Sequence, residues 1–210
     1  MCAAFDRDED IHTLVASQVF GVPLGEVTSA MRRSAKAVNF GVIYGQSPFG
    51  LAKALDIEKD VASRFIDTYF GRYAGVAQFI IKTLHECRQL GYVSTILGRR
   101  RPVQGVRDPA IHGDSYQRTL PERIAINTVI QGSAADLIKR AMIQVHHRLI
   151  REKRQARLLL QIHDELVLEF APGEEDAIRQ LVTEEMTSAA QLSVPLKVDV
   201  KVGANWAECE

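Results

Sequence analysis

The chain has 210 residues, of which 46% are hydrophobic and 25% are charged, and its formal net charge is zero. This composition supports a packed core and excludes global disorder, and the lack of any run of about 18 apolar residues excludes a membrane-spanning helix. The charge is uneven, because residues 1–170 contain 23 Lys and Arg against 18 Asp and Glu, so a basic surface is expected there. The three cysteines form no CxxC pair, and we expect a reduced, cytoplasmic setting.

Capping signals predict three helices in the first quarter of the chain. Asp10 is placed to cap a helix over "IHTLVASQVF", and Gly21 follows its end. Thr28 is placed to cap the next helix. Ser47 followed by Pro48 is typical of a third helix start, because proline is favoured at the first helical position.

Two amphipathic helices and a strand are predicted next. Apolar residues recur at three- and four-residue spacing in "VASRFIDTYFGRY" and in "GVAQFIIKTLHECRQLG", and Gly91 ends the second of these helices. The segment "YVSTIL" is rich in β-forming residues and ends at Gly98, which predicts a strand. Residues 102–118 mix Pro, Gly, Asp and His, which indicates an exposed loop.

The rest of the chain mixes helix and strand. A long helix is predicted from Pro121 to about residue 150, with Gly132 as a candidate bend. The segments "RLLLQI" and "ELVLEF" predict two strands joined by a tight turn at "HD". A helix over about residues 174–190 and a last strand, "PLKVDVKV", follow. The predicted fold class is α+β, mainly helical at first and then with antiparallel strands around a His-Asp-Glu hairpin.

The stretch "RRSAKAVNFGVIYG" places Arg32, Lys36, Phe40 and Tyr44 at four-residue intervals. Because four residues advance a helix by about 400°, these side chains form one slowly winding stripe about 18 Å long. The two cations suit a polyphosphate, and an aromatic ring offers a flat face to a sugar or a base. The alternative is a core helix, with both rings inside and the two cations extended toward water.

The second pattern is "LLLQIHDELVLEF", in which His163, Asp164 and Glu165 lie between two apolar strands. Two adjacent acids in a hairpin turn can hold a hard cation such as Mg²⁺, which prefers oxygen ligands. An ordinary polar turn explains the same pattern, and zinc is disfavoured because no second His or Cys lies at a ligand spacing. A metal-dependent hydrolase that uses His163 and Asp164 is a further alternative, for which no additional metal ligands are evident.

The third pattern is "RIAINTVIQGSAADLIKRAM", in which Arg123, Asn127 and Gln131 are again four residues apart. One helix face thus carries a cation and two amides, which can contact a nucleic-acid backbone or the minor-groove edges of bases. A solvated helix face is the alternative. No Walker, Rossmann or nucleophile-elbow motif occurs in the sequence, so those sites are not supported.

Together these segments resemble family A (Pol I-like) DNA polymerases. "RRSAKAVNFGVIYG" resembles motif B of the fingers, "QIHDELVLE" resembles motif C of the palm, and "RIAINTVIQGSAADLIKRAM" resembles the helix between them. "DIHTLVASQVFGV", "YFGRYAGV", "GYVSTILGRRR" and "VPLKVDVKVGANW" also match, in family order. The resemblance covers nearly the whole chain and implies a fingers subdomain at residues 1–110 and part of the palm at residues 111–210.

The resemblance implies a nucleotide site on the motif B helix. Arg32 and Lys36 are expected to hold the triphosphate of an incoming dNTP, and Lys36 also counts among the catalytic residues. Phe40 is expected to stack on the sugar and base, and Tyr44 to lie near the template base and the nascent pair. Closure of this helix over a correct pair would complete the site.

The resemblance also implies template-directed DNA synthesis, with primer–template DNA and dNTP as partners and no membrane. Asp164 is expected to bind catalytic metal, with Glu165 beside it in support, and both count as catalytic residues. The implied chemistry uses two Mg²⁺ ions, which lie about 3.5–4 Å apart in such sites. The expected DNA-binding residues are His163 by the primer terminus and Arg123, Asn127 and Gln131 along the primer–template, largely through the minor groove.

One element of the family pattern does not occur in the sequence. Motif A, of the form D-Y-S-Q-I-E, supplies a second catalytic Asp, and "MCAAFDRDEDIH" aligns with the stretch that follows it. The motif A part of the palm and the thumb are therefore expected outside this chain, and we expect the isolated chain not to polymerise. We also expect an exposed apolar edge on the motif C hairpin, where the motif A strand would pair. The rival hypothesis is a non-catalytic relic of the fold that binds nucleotides or nucleic acid. Residues 102–120 match the family poorly and receive no function.

Overall fold

The computed structural model describes residues 2–112 and 118–209. Its α-helices are α1 (Cys2–Asp6), α2 (Ile11–Phe20), α3 (Ser29–Ile43), α4 (Pro48–Leu55), α5 (Lys59–Arg72), α6 (Ala74–Leu90), α7 (Pro109–His112), α8 (Leu120–Arg151) and α9 (Glu175–Thr187). Its strands are β1 (Tyr92–Ser94), β2 (Arg100–Pro102), β3 (Arg157–Ile162) and β4 (Glu165–Glu169), and 3₁₀ turns lie at Leu24–Glu26 and Trp206–Cys209. Helices with two antiparallel hairpins confirm the predicted α+β class.

The chain divides into two compact units, residues 1–130 and residues 131–210, and the division falls within α8. The boundary predicted at residue 110 separates functional subdomains and stays a prediction. None of the helices that the structure describes is both long enough and apolar enough to cross a membrane.

The predicted helix starts in the first unit are confirmed. The carboxylate of Asp10 caps α2 by accepting hydrogen bonds from the N–H groups of His12 and Thr13, at 2.9 and 3.2 Å. The hydroxyl oxygens of Thr28 and Ser47 cap α3 and α4 in the same way. Each cap satisfies an N–H group that the first turn of a helix leaves unpaired, which fixes where these helices begin.

Two apolar clusters form the core of the first unit. The first cluster joins α2, α3, α4 and α5, and its fully buried members include Val15, Val38, Leu51, Ile66 and Tyr69. The second cluster joins α6, β1 and the start of α8, and its most buried members include Ile80, Cys87 and Ile126. Because α3 packs one face into the first cluster, its opposite face is left for other contacts.

The segment predicted as a single strand, "YVSTIL", is the first half of a hairpin. β1 ends at Ser94 and pairs antiparallel with β2, with Tyr92 opposite Pro102. Thr95 starts the turn, because its N–H donates to the carbonyl of Arg99 at 2.9 Å and its hydroxyl accepts from the N–H of Arg99 at 3.0 Å. The strand prediction is therefore wrong for the second half of the segment, where these turn bonds replace strand pairing.

The loop predicted at residues 102–118 is only partly irregular. Residues 103–108 form no helix or strand, whereas Pro109–His112 form the short helix α7. The carboxylate of Asp108 accepts a hydrogen bond from the N–H of Ala110 at 2.9 Å, which supports the start of α7. Residues 113–117 lie outside the described residues, so the loop prediction is not tested there.

The predicted long helix is α8, which extends over 32 residues from Leu120 to Arg151. It begins one residue before Pro121, the predicted start. Gly132 does not interrupt the helix, so the candidate bend does not break it. A glycine costs a helix interior about 1 kcal/mol relative to alanine, which so long a helix can tolerate.

The second unit packs the end of α8, the β3–β4 hairpin and α9 around one apolar cluster. Its most buried members are Val145, Leu149, Ile178 and Leu181. β3 and β4 are antiparallel, with Ile162 opposite Glu165, so His163 and Asp164 form the turn between them as predicted.

The β3–β4 sheet is only partly covered. Its register shifts between Leu158 and Leu160, which marks an irregularity of the bulge type. Leu159 and Leu160 are 50% and 49% exposed. No third strand among the described residues joins this pair, so the hairpin leaves apolar side chains in contact with water.

The last strand predicted, "PLKVDVKV", is wrong for the described structure. Residues 195–202 form no helix or strand, because no neighbouring segment among the described residues provides the ladder hydrogen bonds of a sheet. The expected alternation of side chains is nevertheless present, since Leu196, Val198 and Val200 are half-buried between exposed residues. The carbonyl of Val200 accepts a hydrogen bond from Arg179 of α9 at 2.8 Å.

Candidate functional site

The face of α3 that carries the predicted stripe lies outside the core. The buried residues of α3 are Ala35, Val38, Asn39 and Val42. Arg32, Lys36 and Phe40 are exposed, and Tyr44, which follows the last helical residue, is half-buried. The alternative of a core helix with both rings inside is therefore wrong for Phe40, which is 45% exposed. Leaving nearly half of so large an apolar residue in water forgoes part of its burial energy, and this favours a binding role.

The partly exposed ring of Phe40 is near two other rings. Its centroid is 6.1 Å from that of Tyr44, and the two ring planes differ by 22°. The centroid of His12 in α2 lies 5.8 Å from that of Phe40, and the two ring planes differ by 49°. Aromatic pairs at such separations attract each other in offset or tilted arrangements, so Phe40 is supported while its surface remains accessible.

Arg32, at the other end of the stripe, is paired with the cap of α2. The Nε of Arg32 donates to Oδ2 of Asp10 at 2.5 Å, while Oδ1 of Asp10 caps the helix. The hydrogen bond from Arg32 lowers the pKa of Asp10 to about 2, so this carboxylate is ionised at neutral pH. The pair orients the guanidinium at the surface, where both partners remain partly exposed.

His12 is a site residue that the sequence patterns did not single out. Its Nδ1 lies 3.1 Å from Nδ2 of Asn39, a buried residue of α3. If the amide donates, Nδ1 accepts and Nε2 carries the proton of a neutral ring. Burial lowers the pKa of His12, with Arg32 and Lys36 acting in the same direction and Asp10 opposing them. The available signal was its place in "DIHTLVASQVFGV", two residues after the cap.

The acids of the second pattern lie at the tip of the β3–β4 hairpin in the second unit. His163, Asp164 and Glu165 are all exposed, and His163 adopts the left-handed conformation with φ 53°. The side-chain amide of Gln161 donates to the carbonyl of His163 at 2.6 Å, which braces the turn. Non-glycine residues adopt this conformation infrequently, but histidine is among those that tolerate it, and the bond from Gln161 supports it here.

The donor chemistry of this turn fits a hard cation, but the turn does not form a complete site. Asp164 and Glu165 offer carboxylate oxygens, which are the ligands Mg²⁺ prefers, and Mg²⁺ in proteins often retains waters and binds substrate phosphates. Within residues 2–112 and 118–209, no group of three or more His, Cys, Asp or Glu side chains is placed to hold a metal ion. Further oxygen ligands therefore have to come from elsewhere.

The third set of residues follows one side of α8. Arg123 and Gln131 are exposed, and Asn127 is half-buried with a buried Oδ1 that has no hydrogen-bond partner among the described residues. Such a buried acceptor is costly unless something donates to it. Arg123 also packs beside the end of α3, where a Cβ added to Gly45 would lie 3.2 Å from its Cγ.

The structure thus groups the predicted residues by unit. Within residues 1–130 it brings the stripe of α3 together with Asp10 and His12 and places Arg123 against Gly45. Within residues 131–210 it places the three hairpin residues at one turn.

Comparison with known proteins defines the class. The family model for DNA polymerase family A matches residues 1–208. The chain therefore belongs to DNA polymerase family A, as its motifs predicted.

Individual relatives agree with this class. The chain is 48% identical over 208 residues to DNA polymerase I of Bacillus caldotenax, which covers 99% of the chain and 23% of that protein. It is 45% identical over 204 residues to DNA polymerase I of Mycobacterium tuberculosis, covering 97% of the chain and 22% of the relative. A solved structure, the POL domain of Pol1 from M. smegmatis in complex with DNA primer-template and dNTP, superposes with a TM-score of 0.90 at 41% identity, covering 99% of this chain and 36% of that one. The chain thus spans about a quarter of the length of these polymerases.

Proposed function

We propose that this chain supplies the nucleotide-binding stripe, and one metal-binding acid, of a template-directed DNA polymerase that transfers dNTP to a primer 3′-hydroxyl. The observation that carries the proposal is the exposed, supported face of α3, on which Arg32, Lys36 and Phe40 face water in a member of family A. In the proposed enzyme, residues 1–110 belong to the fingers and residues 111–210 to the palm. We place the enzyme in the cytoplasm.

The nucleotide is held by groups along α3. The guanidinium of Arg32 and the ammonium of Lys36 make charge-assisted contacts with the triphosphate. Lys36 is catalytic because its charge also stabilises the negative charge that develops on the leaving pyrophosphate. Phe40 stacks on the sugar and base, and Tyr44 contacts the nascent pair.

His12 belongs to the same nucleotide site. Its ring lies beside Phe40, and its Nδ1 is within hydrogen-bond distance of the amide of Asn39. With that amide as the donor, Nε2–H is the free donor of the neutral ring. Such a donor next to Arg32 and Lys36 suits a phosphate oxygen. Because the neutral ring already provides this hydrogen bond, its role does not require protonation.

Metal binding is assigned to Asp164, with Glu165 in support. Polymerases of this family use divalent metal ions, and the carboxylate donors of the hairpin favour Mg²⁺. Two such ions, when bound, neutralise the triphosphate and make the primer hydroxyl a better nucleophile. The residues of this chain hold and orient the reactants around that chemistry, and further ligands are needed to complete the site.

Primer–template DNA is assigned to α8 and to the hairpin turn. Arg123, Asn127 and Gln131 contact the primer–template, largely in the minor groove. His163 contacts the primer terminus. The 210-residue chain does not polymerise by itself in this proposal, because the acids of its turn are too few for a two-metal site.

Primer extension tests the proposal. A chimera in which this chain replaces the matching segment of the M. smegmatis Pol1 POL domain is expected to extend a primer, whereas the isolated chain is not. Asp164→Asn in the chimera is expected to lower kcat at least about 100-fold, and Lys36→Ala is expected to lower kcat and raise KM for dNTP. Glu58→Gln, at the start of α5, is a matched exposed control and is expected to change neither.

The outcomes separate the alternatives. Extension by the isolated chain would overturn the claim that it does not polymerise. A folded chimera that binds primer–template but extends nothing would favour the relic of the fold. Full activity of the Asp164→Asn chimera would refute the catalytic assignment of the hairpin.

A further inference from the structure

A partly buried ion pair joins the irregular segment at residues 103–108 to the start of α8. The Nε and Nη2 of Arg107 donate to Oε1 and Oε2 of Glu122 at 3.2 and 3.1 Å, which makes a bidentate pair. Glu122 is only 3% exposed. Neither the sequence patterns nor the proposed function gives these two residues a role.

Glu122 also closes the first turn of α8. Its Oε2 accepts a hydrogen bond from the N–H of Thr119 at 2.8 Å, three residues earlier. This is the reciprocal half of a capping box, in which an acid in the first turn satisfies the N–H of the cap residue. Burial acts to raise the pKa of Glu122, but the hydrogen bonds from Arg107 and Thr119 outweigh it and the pKa is lowered. The ion pair of Arg107 and Glu122 is therefore ionised at neutral pH, and we call it the joint between residues 103–108 and α8.

The joint is anchored on its other side to α6. The Nη1 of Arg88, near the end of α6, donates to the carbonyl of Arg107 at 2.8 Å. Arg107 thus connects the end of α6 with the beginning of α8. Because Glu122 is buried, removing Arg107 would leave the charge of Glu122 without compensation, so the two residues act as a unit.

The residue after Glu122 is Arg123, which is exposed. Because successive residues turn by about 100° on a helix, an inward Glu122 directs Arg123 to a different side. The stem of Arg123 packs beside Gly45, where an added Cβ would lie 3.2 Å from its Cγ, and that of Arg118 is nearer still, at 3.0 Å. The backbone of Gly45 is left-handed, with φ 79°. The direction of Arg123 is thus set by the start of α8 on one side and by the end of α3 on the other.

We propose that Arg107 and Glu122 are positioning residues that hold Arg123 against the end of the motif B helix for its contact with primer–template DNA. This inference rests on the proposed function, which makes Arg123 a DNA contact. Arg107 and Glu122 touch neither DNA nor nucleotide. They act by fixing the first turn of α8.

The direction in which one substitution changes the affinity for DNA distinguishes a positioning role from simple electrostatic attraction. Glu122→Gln removes a negative charge, so long-range attraction alone expects tighter binding of DNA. Positioning expects weaker binding, because glutamine has a single acceptor oxygen. Its NH2 group would face one of the donors that now bond to the two carboxylate oxygens, and the bidentate pair with Arg107 would be lost. The double variant Arg107→Met with Glu122→Gln keeps the net charge and is also expected to weaken binding.

The test is fluorescence anisotropy with a labelled primer–template and the 210-residue chain. We expect Arg123→Gln to weaken binding about tenfold and Glu122→Gln to weaken it about three- to tenfold. The two substitutions together are expected to be no worse than Arg123→Gln alone, because residues that act as a unit are not additive. Glu152→Gln is the matched control, since Glu152 accepts from Arg148 and Arg154 in the second unit and its loss changes the charge equally.

The control variant is expected to lose thermal stability without losing affinity for DNA. Tighter or unchanged binding by Glu122→Gln, with Arg123→Gln weakened, overturns the positioning role and leaves the proposed function intact. Additive losses in the combined variant also overturn it, because Glu122 would then act independently of Arg123. No loss on Arg123→Gln, or no binding by the parent chain, contradicts the DNA-binding assignment itself, and the inference fails with it.

Discussion

Asp10 has two separable tasks, and two substitutions are expected to separate them. One oxygen of its carboxylate caps α2, and the other accepts from Arg32. Asparagine keeps an oxygen for the cap but loses the charge, whereas alanine loses both. Asp10→Ala is therefore expected to destabilise the chain more than Asp10→Asn does.

The magnitudes follow from the exposure of each contact. Losing an N-cap costs about 1 kcal/mol, with a range of about 0.5–2. The side chains of Arg32 and Asp10 are 46% and 41% exposed, so their ion pair is screened by water and contributes about 0.2–1 kcal/mol. Asp10→Ala should thus lower the free energy of unfolding by about 1–3 kcal/mol, and Asp10→Asn by less than about 1 kcal/mol.

Urea unfolding followed by circular dichroism measures both costs. A loss of 1 kcal/mol moves the midpoint by about 0.5 M if the slope is about 2 kcal/mol per M. Because the pKa of Asp10 is depressed to about 2 in the folded chain, the contribution of its charge is present above the ordinary value near 3.8 and is lost as the pH falls toward 2. The difference between parent and Asp10→Asn should therefore shrink between pH 7 and pH 3. Equal losses for the two variants at pH 7 would refute the separation of cap and pair.

Three further expectations follow from exposure and backbone geometry. Gly45→Ala should lower stability by about 1–2 kcal/mol in a thermal melt, because φ 79° disfavours a side chain and the new Cβ would meet Arg118 at 3.0 Å. Gly71→Ala in α5 is the control and should stabilise the chain, because a Cβ there meets nothing within 4 Å. Phe40→Ala should leave the melting temperature nearly unchanged, because the ring is 45% exposed, but weaken dNTP binding about 5- to 150-fold; a large loss of stability would instead identify it as a core residue. Leu160→Lys should reduce aggregation of the concentrated chain, measured by light scattering, without changing its melting temperature, because this side chain is 49% exposed. Unchanged scattering would show that the hairpin is not an aggregation site.

Local signals predicted the helices well because their causes lie within a few residues. Asp10, Thr28 and Ser47 each bond to N–H groups two or three residues ahead, so the sequence alone locates those helix starts. Gly21 and Gly91 likewise end helices in the left-handed conformation that suits glycine. The hairpin at "HD" was predictable for the same reason, since its two strands are neighbours in the chain.

The candidate site was only partly predictable. Four-residue spacing identified the stripe from Arg32 to Tyr44, but not which side of the helix faces the core, and the exposure of Phe40 decided that question. The sequence patterns missed His12 because its contact with Phe40 joins two different helices. The sequence patterns also missed the ion pair of Arg107 and Glu122, because no periodic pattern links residues fifteen positions apart.

The failure at residues 195–202 shows what a strand pattern encodes. Alternation of apolar and polar residues predicts which side chains face the protein interior, and Leu196, Val198 and Val200 are indeed half-buried. A strand, however, forms only when a second backbone segment supplies hydrogen-bond donors and acceptors. The sequence of the segment itself does not specify that partner. The uncovered Leu159 and Leu160 of β3 illustrate the same principle from the other side, because they carry apolar surface without a covering element among the described residues. The sequence therefore specifies the contacts that a segment can make, whereas the fold and its partners decide which of them form.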